Sequence, residues 1–142
     1  TTPLSFEQRL AQQVELVRQQ SAALQAMAAP VIEVWDRVLV LPVIGAVDRT
    51  RAAAMTEALL REVVAKRASH AIIDLTGVET INPDTAGHLM RMVQATGLLG
   101  CTCLVSGISP TVARTMIELG LTIDLQIFST LKSALQHALR SS

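Results

Sequence analysis

The sequence predicts an α/β domain with a mixed sheet. Short segments rich in Val, Ile and Leu alternate with longer segments whose apolar residues recur every three or four positions, as in strands alternating with amphipathic helices. Only Asp36-Arg37 separates the first two apolar segments, which favours an antiparallel hairpin. With 142 residues, 50% of them hydrophobic, the chain can form one domain with an appendage.

Composition argues against several classes of function. Twelve basic and twelve acidic residues cancel, so neither nucleic acid nor an anionic membrane is predicted as a partner. One Trp, two Phe and no Tyr are too few aromatic residues for base stacking. No apolar stretch is long enough to cross a bilayer and no signal peptide is visible, so we expect a cytoplasmic protein. The sequence starts without Met, which suggests a piece of a longer protein.

Residues 4–28 are predicted to form one helix that ends before Pro30. Its apolar positions follow alternating spacings of four and three, the a/d seam of a coiled coil. The seam consists of Leu10, Val14, Val17 and Leu24, with Ser21 and Ala28 in the same register. We expect a linker helix that dimerises through this seam; the alternative is an amphipathic helix packed on its own domain. The predicted boundaries are 1–29 for the linker helix and 30–142 for the domain.

The first two strands are predicted over 31–35 and 38–44. Pro42 has no N–H to donate to a sheet, so we expect it at an edge or a bulge. Trp35 is expected in the core, and the alternative is an exposed anchor of an interface.

The next helix is predicted to begin after Asp48, its N-cap, and to run to about Arg67. Arg49 and Arg51 are expected to be solvated. The predicted buried stripe consists of Met55, Leu59, Leu60, Val63 and Val64.

A central buried strand over 72–75 leads to a polar junction at which another helix begins. Asn82 is the predicted N-cap, Pro83 suits the first helical position, and Asp84 lies at the positive end of the helix dipole. Junctions of this kind often carry function in α/β proteins.

This central helix is expected to bury one face and to leave its two methionines elsewhere. The predicted buried residues are Ala86, Leu89, Val93 and Leu98. Met90 and Met92 would suit a binding surface because Met is flexible, and burial in the core is the alternative.

The remaining segments predict two more strands and two more helices. The strand over 101–105 carries both cysteines, which we expect to be buried and reduced. One helix begins near Ser109, a last strand covers 123–128, and Ser129 caps the final helix. The residues expected to face inward are Val112, Met116 and Leu119 in the first helix, and Leu131, Leu135, Ala138 and Leu139 in the second.

No residue pattern supports catalysis. His70, His88 and His137 have no carboxylate at ligand spacing and no partner in a Ser-His-Asp or Cys-His order. Neither common Gly-rich phosphate loop is present. The sequence therefore predicts a protein that is not an enzyme and has no metal site and no cofactor.

Three segments together resemble a STAS domain. They are Asp-Leu-Thr-Gly-Val at 74–78, the block from Leu98 to Gly120, and the block from Pro30 to Gly45 followed by Asp48 and Arg51. The resemblance covers residues 30–140 and is strongest to RsbR-type stressosome proteins and their relatives among anti-sigma factor antagonists. It implies the STAS fold, with the N-terminal helix in front of it.

The resemblance also implies a function and partners. We expect a non-catalytic scaffold of stress signalling that acts through protein–protein contacts, as a homodimer or a larger assembly. The implied partners are RsbS-like STAS proteins, a switch serine/threonine kinase and an upstream sensory domain. The alternatives are an anti-sigma factor antagonist that binds a kinase-type anti-sigma factor, and a STAS domain that binds a nucleotide or a lipid.

In this family, a kinase phosphorylates a Ser or Thr that follows an Asp where the central helix begins. The resemblance matches that Asp to Asn82 and the hydroxyl residue to Pro83, which cannot be phosphorylated. Thr115, Thr85 and Thr80 are the remaining phosphorylation candidates, and packing or capping is the alternative for each. Together with the junction, the expected interaction surface includes Asp84, Met90 and Met92.

Overall fold

The computed structural model describes residues 4–23, 30–120 and 125–141, and it has the predicted α/β architecture. The helices are α1 (Phe6–Ala23), α2 (Arg49–Lys66), α3 (Pro83–Leu98), α4 (Pro110–Glu118) and α5 (Leu131–Ser141). The strands are β1 (Ile32–Trp35), β2 (Val38–Ile44), β3 (His70–Gly77), β4 (Thr102–Ser106) and β5 (Gln126–Phe128). No helix in the described ranges is long and apolar enough to cross a membrane.

Within the described ranges, the sheet has five strands whose spatial order is the order of the chain, β1-β2-β3-β4-β5. The hairpin pairs β1 with β2 antiparallel, and the other three pairings are parallel. The pairing of β2 with β3 shifts register between Pro42 and Ile44, the irregularity expected next to a Pro. Each parallel pair is joined by one of α2, α3 and α4, so the carboxyl ends of β2, β3 and β4 meet at one edge.

The two faces of the sheet carry separate cores because side chains alternate along each strand. On one face, Leu39, Leu41 and Ile73 pack with the buried side chains of α2, α3 and α4. On the other face, Val40 and Ile72 pack with those of α1 and α5. The three connecting helices therefore form one layer, and the first and last helices form the other.

Three of the helices begin at the caps that the sequence predicts. The side chains of Asp48, Asn82 and Ser109 each accept a backbone N–H from three residues further on. The fourth predicted cap is wrong by one residue. The N–H of Ser133 donates to Thr130 Oγ1 at 3.1 Å, so Thr130 caps α5 instead of Ser129.

The buried face of α3 differs from the predicted one. Met92 is fully buried, whereas Leu98 is 89% exposed. Met92 lies three residues after Leu89 and four before Thr96, and both of these are buried, so all three share one side of the helix. Leu98 is the last residue of α3.

Two more apolar residues at helix ends are exposed, against the prediction. Val64 near the end of α2 is 65% exposed, and Leu119 at the end of α4 is also exposed. The predicted inward stripes thus hold in the middle of the helices, at positions such as Met55, Leu59 and Met116, and fail at their ends.

Trp35 lies on the surface, which contradicts its predicted place in the core. Its side chain is 50% exposed, and its ring packs edge-on against Phe6 with centroids 4.9 Å apart. Its neighbour Val34 is buried on the face that α1 covers, whereas Phe6 of α1 covers only part of the Trp35 side chain. A register shift between Glu33 and Trp35 further displaces this end of the edge strand.

Helix α1 packs on its own domain. Leu10 and Val14 are buried in the cluster that includes Val38, Ile72 and Leu135. These two side chains are therefore not a free dimer seam, because the chain's own sheet and α5 cover them. Val17 is half-buried, and Leu24 and the predicted helix end lie outside the described residues. A linker role for residues 1–29 stays a prediction.

Candidate functional site

Three loops at the carboxyl ends of β2, β3 and β4 form the candidate site. A groove of about 350 Å³ runs between the loop after β2 and the loop that leads into α3. Its walls are formed by Gly45, Ala46, Val47, Asp48, Val78, Thr80, Ile81, Asn82 and Thr85. This is the edge at which α/β proteins commonly bind ligands and partners.

The first turn of α3 is exposed at this edge. Asn82, Pro83 and Asp84 are all exposed. Asn82 Oδ1 accepts the N–H of Thr85 at 2.8 Å, and Pro83 occupies the first turn, where its missing N–H would have no helical partner. Asp84 places a carboxylate at the positive end of the helix dipole. The turn is thus a well-ordered polar surface with one negative charge.

Thr85 fastens α3 to the loop after β2. Its side chain is 5% exposed, and its Oγ1 donates a hydrogen bond to Val47 O at 2.7 Å. A kinase cannot reach a hydroxyl that is buried and engaged in this way, so the structure contradicts Thr85 as a phosphorylation candidate. Its role is the alternative one, packing.

The other two candidate threonines are accessible to different degrees. Thr80 is exposed on the wall of the groove. Thr115 is half-buried on α4, and its Oγ1 donates to Thr111 O one turn earlier at 3.1 Å. Phosphorylation of either residue stays a prediction.

Two further contacts hold the loops together. Ser109 Oγ accepts the N–H of Val112 at 3.1 Å and donates to Glu79 O at 3.0 Å, which joins the start of α4 to the loop before α3. The sequence predicts a solvated Arg51, but its guanidinium donates to Ala46 O at 2.7 Å and also to Ile44 O. The loops at this edge are therefore fixed relative to one another.

The sequence did not predict a buried polar cluster that lies beneath the loops. Asp74 is fully buried within β3, and its Oδ1 accepts hydrogen bonds from Ser106 Oγ at 2.8 Å and Thr76 Oγ1 at 2.9 Å. The backbone of Gly107 passes directly over this cluster. Asp74 inside an apolar strand was the available signal, because a buried carboxylate requires hydrogen-bond donors.

Met90 and Met92, expected on one interaction surface, lie in different environments. Met90 is half-buried beside an apolar crevice that Leu89, Val93 and Met116 also line. Met92 belongs to the core and contributes nothing to the surface. Of Asp84, Met90 and Met92, only the first two are therefore accessible.

We predict that Thr85→Val lowers the free energy of unfolding by about 1 to 2 kcal/mol, because it leaves the buried Val47 carbonyl without its donor. Thr80→Val is the matched control and should change stability by less than about 0.5 kcal/mol, because Thr80 is exposed. Urea unfolding of both variants is the measurement. Equal effects of the two substitutions would show that the bond of Thr85 does not stabilise the domain.

Burial shifts the pKa values of two thiols and one imidazole among the described residues. Burial raises the pKa of Cys101 to about 11 and that of Cys103 to about 12, so both thiols stay protonated and are poor nucleophiles near neutral pH. Burial, and then the charges of His137 and Arg37, lower the pKa of His70. The described side chains also contain no group of three or more potential metal ligands.

Comparison with known proteins identifies the fold and the relatives. The family model for the STAS domain matches residues 29–134. The RsbT co-antagonist protein RsbRA of Bacillus subtilis (strain 168) is 37% identical over 121 residues, which make up 84% of this chain and 44% of that protein. The chain thus spans less than half the length of this relative.

Two solved structures resemble the chain closely in fold. A serine-to-glutamate variant of RsbS from Moorella thermoacetica has a TM-score of 0.70 at 22% identity, over 80% of this chain and 96% of that one. The second is a chain from a structure described as the molecular architecture of the stressosome, a signal integration and transduction hub. It also has a TM-score of 0.70, at 21% identity over 79% of this chain and 97% of that one.

Proposed function

The chain belongs to the STAS domain family, and we propose that it is the STAS module of an RsbR-type protein, a non-catalytic scaffold of a stress-signalling assembly in the cytoplasm. Its partners would be other STAS proteins of the RsbS type and a switch serine/threonine kinase. An upstream sensory domain would complete the signalling protein.

The exposed first turn of α3 is the observation that carries this proposal. Asn82, Pro83 and Asp84 protrude at an edge whose loops are held by Thr85 and Ser109. A surface that is already ordered loses little conformational entropy on binding, so it suits repeated contact with a protein partner. The described side chains around it carry no nucleophile with an adjacent base, which fits a contact surface better than a reaction centre.

Co-purification with an RsbS-like STAS protein and with a switch kinase from the same organism tests the proposal. We expect a stable complex with the STAS protein whose mass, measured by light scattering, exceeds that of a heterodimer. Binding to an anti-sigma kinase alone, with no STAS partner, would instead support the antagonist function.

We predict that Pro83→Ser creates a phosphorylation site without disturbing α3. Serine is accepted in the first turn of a helix, and Asn82 would still cap it. A phosphate there would add about −1.5 to −2 charges to a surface that already holds Asp84. Mass spectrometry after incubation with the switch kinase should find one additional phosphate, on residue 83.

The control for this prediction removes Thr80 and Thr115, the two remaining candidate threonines. Phosphate incorporation into Pro83→Ser should persist when Thr80→Val and Thr115→Val are added to the same chain. If labelling of the wild type equals that of the Pro83→Ser variant and disappears with the threonines, the switch lies at Thr80 or Thr115, and Pro83 is not its position.

A further inference from the structure

A buried histidine at the start of β3 lies beside a histidine of α5. His70 is 6% exposed, and the centroid of its ring is 6.4 Å from that of His137. The ring of His137 also packs on Phe128 of β5, with centroids 5.1 Å apart. Because His70 and Ile72 point to the same face of the sheet, this histidine pair lies next to the core that α1 and α5 share with the sheet.

The hydrogen bonds of Ser69 show which nitrogen of His70 carries the proton. Ser69 Oγ donates to Arg37 O at 3.1 Å and lies 3.0 Å from His70 Nδ1. A hydroxyl has a single proton to donate, so Nδ1–H must be the donor in the second bond. The neutral ring therefore keeps its lone pair on Nε2, and no described group forms a hydrogen bond with that atom. A proton added at Nε2 would create a buried N–H without an acceptor.

The surroundings of His70 oppose a positive charge on its ring. Burial has the largest effect, followed by the charges of His137 on α5 and of Arg37 in the hairpin turn, and each of them lowers the pKa of His70. The strand neighbours Val38 of β2 and Thr102 of β4 carry no charge. No acidic side chain of the described helices and strands acts on this pKa, so none compensates a proton on the ring.

Helix α5 is the element that can respond to such a charge. It packs on the sheet through side chains such as Ala134, Leu135 and Ala138, whereas the strands are also joined by backbone hydrogen bonds. An element that is held by packing alone can open without unfolding the sheet. Opening would move His137 away from His70 and would let water hydrate the protonated ring.

We propose that the histidine pair makes the packing of α5 pH-sensitive, so that protonation of both rings under mildly acidic conditions releases α5 from the sheet. The layer of α2, α3 and α4 stays folded, because its core lies on the other face. Release of α5 removes a packing partner of Leu10 and Val14, so the pH change is transmitted to α1. This response is independent of the contact surface proposed at the start of α3.

The direction of the pH dependence follows from the lowered pKa of His70. In the released form the ring returns to the ordinary value of 6.5, so that form binds a proton more tightly than the packed form does. The packing of α5 therefore has its full stability above that value and loses stability as the pH falls below it.

Hydrogen exchange of the 142-residue chain at about pH 7.5 and about pH 5.5 tests the proposal, with rates corrected for the intrinsic effect of pH. We expect the protection of α5 to fall about fivefold or more at the lower pH, because one unit of pKa difference is worth a factor of about ten. The protection of α1 should fall with it, and that of α2 and α3 should be retained. Unchanged protection of α5, or an equal loss in α2 and α3, would overturn the proposal.

Neutral replacements of the two rings make the test specific. His70→Asn places an amide N–H near the position of Nδ1, so it can still donate to Ser69 Oγ, and it cannot take up a proton. The fall in α5 protection between the two pH values should disappear in His70→Asn and should become smaller in His137→Gln. Because the fall is measured within each variant, a general loss of stability does not imitate this result.

His88→Gln is the matched control. His88 lies on α3, which packs on the face of the sheet opposite to α5, so this variant should keep the full pH response. If His70→Asn responds to pH as the wild type does, or if His88→Gln loses the response, the histidine pair does not control the packing of α5 and the proposal is wrong.

Discussion

Gly107→Ala is expected to destabilise the domain by at least about 3 kcal/mol. Gly107 has φ +73°, a conformation that costs an alanine about 1 to 2 kcal/mol. An added Cβ would also lie 2.9 Å from Asp74 Oδ1 and collide with Thr76 Oγ1. These two atoms are hydrogen-bonded to each other, so moving them out of the way of the Cβ breaks that bond to the buried Asp74 carboxylate. Urea unfolding measures the loss.

Gly100→Ala is the matched control for this prediction. Gly100 has φ +82°, but nothing lies within 4 Å of the position of its Cβ. The substitution therefore carries the conformational cost alone, and we expect a loss of about 1 kcal/mol. If the two alanines cost the same, the backbone conformation explains both, and the contact of Gly107 with the Asp74 cluster contributes nothing.

Val14→Asp is expected to lower the free energy of unfolding by about 3 kcal/mol. Val14 of α1 is fully buried against α5 and the sheet. The substitution removes its apolar contacts and places a carboxylate where water cannot hydrate it. Helix α1 should then detach, which hydrogen exchange would detect as loss of protection in α1. Thermal unfolding should begin at a lower temperature.

Leu16→Asp tests the other interpretation of the same helix. Leu16 is 56% exposed, so its replacement should change stability by less than about 0.5 kcal/mol. If residues 1–29 dimerise through a seam and do not pack on the domain, Val14→Asp should lower the dimer fraction and leave the unfolding of a dilute, monomeric sample unchanged. That outcome would contradict the packing of α1 described here.

Local signals in the sequence were sufficient for much of the fold. Asp48, Asn82 and Ser109 are short polar residues in front of amphipathic segments, and each caps the predicted helix. The two-residue connection Asp36-Arg37 gives the hairpin. These features depend on neighbours within a few residues, so the sequence contains the information directly.

Features that depend on distant contacts could not be predicted in the same way. Met92 and Val93 are adjacent, and only the packing of α3 on α2 and β4 decides which of them is fully buried. Thr85 gave no local sign that its hydroxyl would reach Val47, 38 positions earlier in the chain. Leu10 and Val14 are covered by α5, which lies more distant from them in the sequence than any other helix.

The sequential strand order has a consequence for the order of folding. Each strand pairs with the one before it in the chain, so the sheet can grow one strand at a time from its N-terminal hairpin, with one crossover helix to close at each later step. Helix α1 is the exception, because it is made before β1 and one of its partners, α5, is made after β5. During synthesis, the face with Val40 and Ile72 therefore stays partly uncovered until α5 leaves the ribosome. A chain that is cut short before Leu131 would expose this apolar face to the proteases that remove incompletely folded proteins.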